Sequence, residues 1–434
     1  MSGGFDEWAQ TTGATVKDVD ELPRKAFVPP AAAWPTLNGA ALYGLAGRIV
    51  ETIAPASEAD PVAILLHTLV TVGNLVGPGP HARVERDPHP ARLFGVLVGR
   101  TSKGRKGLSG STSGALLRSV DPTWITTGGL STGEGLIYHV RDRVERSDPE
   151  TGEAEVVDEG IVDKRLQIIE TELASVFVRM GREGNTLSAV LRAAWDHGEL
   201  STLTRNSPLR STGAHVSILA HITEEELRRL LTDTSMANGF GNRFLWVCCR
   251  RAQLLPDGAG VGEEALAPLA RELQAVVTAA RSIGVMTRDD ETAAVWRDGY
   301  GDLSRERDGL VGALLGRAEA QVLRLSCLYA LLDRSAVVQP PHLEAALAVW
   351  AYCEASVFYL FGQRLGHPIA DTILDALRQA QERRLSRTQI RDLFARNKNA
   401  DQITEALGVL ERGKRARRGS RETGGRHEEY WELL

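Results

Sequence analysis

The residues best suited to chemistry form one run, Gly99-Arg-Thr-Ser-Lys-Gly-Arg-Lys106-Gly-Leu-Ser109, directly after the apolar segment Leu93–Val98. Glycines let successive backbone N–H groups turn inward as a nest for an anion. A helix starting just beyond adds partial positive charge at its N-terminus. A lysine in such a loop reaches the outer phosphates of a nucleotide, and a hydroxyl takes Mg2+. The usual spacing, G-x4-G-K-[ST], places lysine at 105, where this chain has Arg105; Lys106 follows, and then Gly107 where the hydroxyl is expected. The run therefore reads as a phosphate loop with one extra residue. Gly99, Lys103, Gly104, Arg105, Lys106 and Gly107 are its candidate nucleotide contacts, with Lys106 as the phosphate lysine. Ser109 is the candidate hydroxyl for phosphate and metal. The alternative is a surface turn rich in glycine, serine and lysine.

Hydrolysis at such a loop needs carboxylates at the end of a neighbouring strand, one on the Mg2+ side and one to polarise water. Leu166-Gln-Ile-Ile-Glu170-Thr-Glu172 offers two. Alternate strand residues share a face, so Glu170 and Glu172 point the same way if the strand persists. Glu170 is the candidate magnesium-side acid and Glu172 the candidate base, with the roles exchangeable and Glu134 a rival base. The competing reading is a pair of surface glutamates opening a helix. A strand is also expected at Val216–Ala220, ending on His221-Ile-Thr223. His221 is a candidate sensor of the γ-phosphate or a structural histidine, and Thr223 is a good helix N-cap. Arg243 lies between a glycine-rich turn and a strand, in Asn238-Gly-Phe-Gly-Asn-Arg-Phe. It is a candidate arginine finger for a neighbouring subunit's phosphate, or else an ion-paired arginine.

These groups need a scaffold, and hydrophobic periodicity supplies its outline. Residues 1–36 mix glycine, threonine and acids and end in Pro29-Pro-Ala-Ala-Ala-Trp34-Pro35, which predicts a disordered arm with a stiff end. Residues 37–90 predict a helical N-terminal segment: a first helix from Leu42 to Ala54, then one capped by Asp60 with Pro61 at its first position. Residues 91–260 predict an α/β core with strands at Leu93–Val98, Leu166–Ile169 and Phe244–Cys249. Within it a hairpin is expected from Leu200–Thr204 with Thr212–Leu219, and 141–165 reads as a charged, solvated insertion. Residues 261–366 are mostly helical, and Gly366-His-Pro368 breaks the chain.

Residues 367–434 predict a winged helix: helices Ile369–Ala380, Arg387–Ala395 and Ala400–Arg412, then strands Lys414–Arg418 and Glu429–Leu433. Ile390, Leu393 and Phe394 are expected to face inward on the second helix. Lys398, Arg412, Lys414, Arg415, Arg417, Arg418, Arg421 and Arg426 cluster on the third helix and the wing, as a DNA footprint does. The whole chain carries a net charge of −5, so only a local patch attracts nucleic acid. A protein-docking winged helix is the alternative. Four cysteines show neither disulfide nor zinc spacing and fit buried thiols in a reducing compartment. The N-terminus lacks the order of a signal peptide. No apolar run approaches the ~20 residues of a membrane helix, so a cytoplasmic protein is expected.

The order of parts in 166–249 resembles the ATPase core of AAA+ proteins, particularly the minichromosome-maintenance replicative helicases, in which a hairpin precedes the sensor strand and the finger sits in a Ser-Arg-Phe motif. Arg317-Ala-Glu-Ala-Gln-Val-Leu-Arg324 resembles their lid helix. The resemblance implies a γ-phosphate contact for Arg324, with Arg317 second. More broadly, residues 34–434 resemble an uncharacterised P-loop family of actinobacterial phages, plasmids and integrated elements. Thr101–Gly107, Arg182–Ser188 and Met236–Trp246 carry that likeness. The resemblance implies an AAA+ or RecA-like P-loop core with a helical lid at 261–366, ATP and Mg2+ as cofactors, a homo-oligomeric ring, a hexamer, and DNA as partner. The expected function is an ATP-dependent DNA motor, helicase-like, in replication of a mobile element. Alternatives are a DNA-binding initiator with a nucleotide-switch core, and a defence ATPase acting on proteins.

Overall fold

The computed structural model describes residues 33–100, 106–147, 154–202, 208–231, 239–258, 260–307, 309–362, 365, 367–423 and 426–434. Five strands form the central sheet: β1 (Phe94–Gly99), β2 (Thr126–Thr127), β3 (Arg165–Glu170), β4 (His215–Thr223) and β5 (Phe244–Cys248). Their spatial order is β5-β1-β4-β3-β2, and every pairing is parallel. β1 and β5 are buried along their whole length, as a parallel sheet covered on both faces requires. The connection leaving β1 runs to β2 at one side of the sheet, and that leaving β4 runs to β5 at the other. Ligands in open sheets bind beyond the carboxyl ends of strands at such a reversal, which here falls between Gly99 and Thr223.

Two helices precede the sheet, α1 (Gly44–Ile53) and α2 (Pro61–Leu75). Asp60 accepts from the Val62 amide at 3.2 Å and Pro61 takes the first helical position, so α2 starts where local chemistry dictates. The helix is buried almost throughout. Near its end the Asn74 amide group donates to Leu166 O at 3.2 Å and His215 O at 2.9 Å, and its carbonyl accepts from Trp124 Nε1 at 2.7 Å. That one side chain fastens α2 to β3 and β4. Further helices flank the strands: α3 (Ser109–Arg118), α4 (Leu173–Met180), α5 (Leu187–Asp196), α6 (Glu224–Leu230), α7 (Ala318–Leu332) and α8 (Pro340–Phe361).

α8 covers the free edge of β5. Tyr352 Oη donates to Cys248 O at 2.7 Å, and the Cys248 amide donates to Ser356 Oγ at 3.1 Å; an uncovered edge would template pairing with other chains. α8 is also long and apolar enough to cross a membrane, which corrects the expectation that no run approaches that length, but 61% of its apolar window is buried inside the protein. One hydrophobic core runs from Ala41 to Phe361, so the boundaries drawn at 90 and 260 do not separate cores. All four cysteines are free and buried.

Three local expectations are corrected. Residues 37–90 hold a β-hairpin, His81–Val84 with Asp87–Pro90, as well as helices. The insertion is a two-stranded ribbon, Val144–Ser147 with Ala154–Asp158, and Arg141 clamps Asp158 through bonds of 2.6 and 2.9 Å at its base. The expected hairpin shrinks to Leu200–Ser201 with Arg210–Ser211, because the buried run from His215 onward enters the sheet as β4.

A second core, from Ala370 to Trp431, belongs to the last unit. It comprises α9 (Pro368–Gln379), β6 (Arg384–Ser386), α10 (Arg387–Asp392), α11 (Ala400–Arg412), β7 (Ala416–Thr423) and β8 (Arg426–Leu433). The strands make an antiparallel sheet in the order β6-β8-β7. Ser386 and Asn399 cap α10 and α11 through reciprocal bonds with Gln389 and Gln402. α10 stops at Asp392, and Ala395 and Arg396 turn to φ of 46° and 64°. Leu393, expected inward, is consequently 41% exposed.

Candidate functional site

β1 delivers the chain to Gly99, where it passes close to β5: a Cβ at 99 would lie 2.5 Å from Cys249 O. Lys103, Gly104 and Arg105 lie outside the described residues. Lys106 opens a short 3-10 turn that runs into α3. Its ammonium donates to Gly99 O at 2.9 Å, Arg100 O at 3.3 Å and Ile222 O at 3.0 Å. It therefore bridges the carboxyl ends of β1 and β4 at the reversal point. Burial pushes its pKa below the ordinary lysine value, with Cys249 and Glu226 acting in the other direction. Gly107 is exposed, with open space where a side chain would stand. Ser109 is 1% exposed, and its hydroxyl donates to Lys106 O at 2.7 Å. In this arrangement the hydroxyl closes the turn and does not face open space.

His221 sits on β4 two residues before its end, with Nε2 buried and without a hydrogen-bond partner. Burial, then the nearby Lys106 charge, push its pKa down to about 4. His67 on α2 is buried, its pKa lowered to about 3 by burial and by His221 and Arg118. Both rings are neutral at pH 7. Gly110 makes room for His67: a Cβ there would come within 2.9 Å of the ring. Thr223 acts as the cap of α6, in a reciprocal box with Glu226 at 3.2 and 3.3 Å.

The acids separate. β3 ends at Glu170, so the expectation that Glu170 and Glu172 share a strand face is corrected. Glu170 is 7% exposed and accepts from the Leu130 amide at 2.5 Å. Glu172 is exposed at the N-cap of α4 and makes no cap bond. β4 stands between β3 and β1, so Glu170 is one strand further from the loop than a direct neighbour. Glu134 opens the helix Gly133–Tyr138 and accepts from Thr186 Oγ1 at 3.1 and 3.2 Å.

The arginines lie at the opposite, amino edge of the sheet. Arg243 precedes β5, is 5% exposed, and grips Asp196 with two bonds, Nε–Oδ1 at 3.1 Å and Nη2–Oδ2 at 2.5 Å. It does not project from the surface as expected of a finger; it is a buried arginine paired with a half-buried carboxylate. Arg317 Nη1 lies 3.5 Å from the same carboxylate. Arg324 is wholly buried, donates to Arg92 O at 3.0 Å and Trp195 O at 2.9 Å, and lies 3.6 Å over the Trp195 ring. Within one chain it bridges core elements and is remote in the sheet from Lys106, which corrects its expected place at the phosphate. Arg92 completes the group, donating to Ala214 O at 2.9 Å.

In the last unit the basic footprint is partly neutralised. Arg417 pairs with Glu432 at 2.8 Å, Arg421 with Glu428 at 2.8 Å, and Arg418 with Glu429. Arg415 is half-buried and donates to Gly362 O at 3.2 Å, tying the unit to the end of α8. Lys398, Arg412 and Lys414 are exposed, and none pairs with a carboxylate among the described residues. Arg426 opens β8, and its side chain lies outside the described residues.

The loop edge opens into a cavity of about 760 Å3 between the sheet and the last unit, lined by Arg100, Thr223, Arg228, Pro368 and Asp371 among others. The sequence pattern did not single out Asn74 or Asp196, whose partners are distant in sequence, or Arg100, which lines this cavity. Compared with known proteins, the chain matches no family model, and no curated protein matches it.

Proposed function

We propose that residues 91–362 act as a P-loop ATPase core, that 367–434 are a winged-helix DNA-binding unit, and that the chain is a cytoplasmic, ATP-dependent DNA motor of a mobile element, working as a ring. The observation that carries the proposal is Lys106: its ammonium bridges the ends of β1 and β4 and hydrogen-bonds only to backbone carbonyls among the described residues. Phosphate oxygens, which bring full charge, would replace those dipoles favourably. The neutral, unpartnered His221 next to it suits a polar contact with an incoming oxygen. Gly107 leaves room for a phosphate to approach the backbone. Mg2+ arriving with the nucleotide would supply charge neutralisation between its outer phosphates. Glu170 fits the metal side by its position at a strand end, and exposed Glu172 fits the base.

The test is nucleotide titration of the full chain and of Lys106→Ala, followed by turnover with and without duplex DNA. Binding by the unaltered protein that the substitution abolishes, with DNA-stimulated turnover, is the expected result. Equal affinity in both proteins would remove Lys106 from the site. A nucleotide switch without turnover is the second reading, and one observation favours it: Arg243 is committed to Asp196 within its own chain. Binding without turnover would select it.

A further inference from the structure

Beside the loop lies a second cavity, of about 290 Å3, lined by Trp34, Gly99, Arg100, Cys249, Arg250 and Tyr359 among others. That is near the lower end of the roughly 300–1,000 Å3 of small-molecule pockets. Its walls come from five places: the segment before α1, the end of β1, Glu224 at the start of α6, the end of β5 and the last turns of α8. Trp34 and Tyr359 meet edge to face, ring centres 5.1 Å apart. The Arg250 guanidinium stands 5.1 Å from the Trp34 ring centre. It is held there by its own backbone, whose amide donates to Asp60 at 3.0 Å.

We propose that this cavity is the nucleobase subsite of the nucleotide site, a deepening that rests on the phosphate-loop reading above. Gly99 joins the two parts: its carbonyl holds the Lys106 ammonium, and its backbone is a wall of the aromatic cavity. Arg100, exposed and next in the chain, lines the same cavity, and its carbonyl also accepts from Lys106 at 3.3 Å. A ligand with phosphates at Lys106 and a flat ring among Trp34, Tyr359 and Arg250 is a nucleoside triphosphate. Aromatic faces and a guanidinium hold a base by stacking and cation–π attraction, without needing its particular edge. Selection among bases is accordingly weak at the stacking surfaces themselves.

The experiment is calorimetric titration of the full-length chain with ATP and with inorganic tripolyphosphate, which has the charge but no ring. Trp34→Ala is expected to weaken ATP by roughly tenfold, in line with loss of one stacking partner, while leaving tripolyphosphate within about twofold. Trp34→Phe, which keeps a ring, is expected to recover most ATP affinity. Lys106→Ala is expected to lose both ligands. Should Trp34→Ala melt early, Tyr359→Ala and Arg250→Ala probe the same cavity from other elements and carry the same expectation. Equal loss of both ligands in these variants, or unchanged ATP binding, overturns the subsite. An unaltered protein that binds tripolyphosphate as tightly as ATP overturns the subsite and leaves the loop standing. Binding of neither ligand overturns both.

Discussion

The two edges of the central sheet hold the same kind of charge in opposite ways. At the carboxyl edge, Lys106 is met by three carbonyls and by no carboxylate among the described residues. At the amino edge, Arg92, Arg243, Arg317 and Arg324 gather around Trp195 and Asp196, with Asp196 shared by Arg243 and Arg317. A hydrogen bond from a charged donor to a neutral carbonyl contributes about 1.5–3 kcal/mol net, and a phosphate oxygen, which brings full charge, competes with that carbonyl for the donor. Removing one member of a buried ion pair costs about 3–5 kcal/mol. Under the proposed function, the first edge gives up its partners to an anion, while the second keeps them. Sequence motifs weigh both sets of basic residues alike; what separates them is the partner.

The largest expected effect is at the locked edge. Asp196→Ala leaves buried Arg243 without its carboxylate and should lower stability by about 3–5 kcal/mol in urea unfolding. A loss below about 1 kcal/mol would mean that the arginines are not held by this pair. At the open edge, Lys106→Ala should cost about 1.5–3 kcal/mol or more in nucleotide affinity and change the urea midpoint little. A large midpoint shift with intact binding would reverse the comparison.

A smaller effect per residue concerns β4, which carries His215 at one edge and His221 near the other. Burial lowers His215 and His67 to about 3 and His221 to about 4, against roughly 6.5 in an unfolded chain. Between those values the unfolded state binds more protons, so stability falls as pH drops from about 6.5 toward 4. The slope approaches roughly 1.4 kcal/mol per pH unit for each histidine. Replacing His221 with Gln should shallow the decline of the urea midpoint between pH 7 and 5; a midpoint flat over that range in the unaltered protein would contradict the burial argument.

The smallest expected effect is in the last unit, where the same contrast recurs at the surface. Exposed ion pairs contribute about 0–1 kcal/mol, so Arg417, Arg418 and Arg421 can exchange glutamate for phosphate, but they begin compensated. Replacing Lys398, Arg412 and Lys414 with alanine should therefore flatten the salt dependence of duplex binding more than replacing those three arginines, by up to ~3 units of slope. Anisotropy titrations between 50 and 200 mM salt, roughly the range over which such contacts weaken, compare the two triples; a steeper loss from the arginine triple would place the footprint on the wing.

What was legible in the sequence depends on residues a few positions apart. Asp60-Pro61 starts α2, Ser386 and Asn399 start α10 and α11, and an apolar run before a glycine-rich loop predicts β1. Capping and strand burial are local, so a single sequence carries them. The strand at Val216–Ala220 could be read from its apolar run, but the same residues also suit a hairpin arm, and only pairing with β1 and β3 places the strand in the sheet. The site divides along the same line. That a glycine-rich loop carrying a lysine follows β1 could be read from spacing. That Glu170 meets Leu130, that Arg243 is taken by Asp196, and that Trp34 meets Tyr359 across a cavity beside Gly99 could not. Those contacts join segments far apart in the chain, where the sheet order and helix packing choose the partner. The amino-acid sequence alone determined which groups bear charge and which turns they sit in; the tertiary structure decided which charges are spent, because burial brings distant partners within bonding distance.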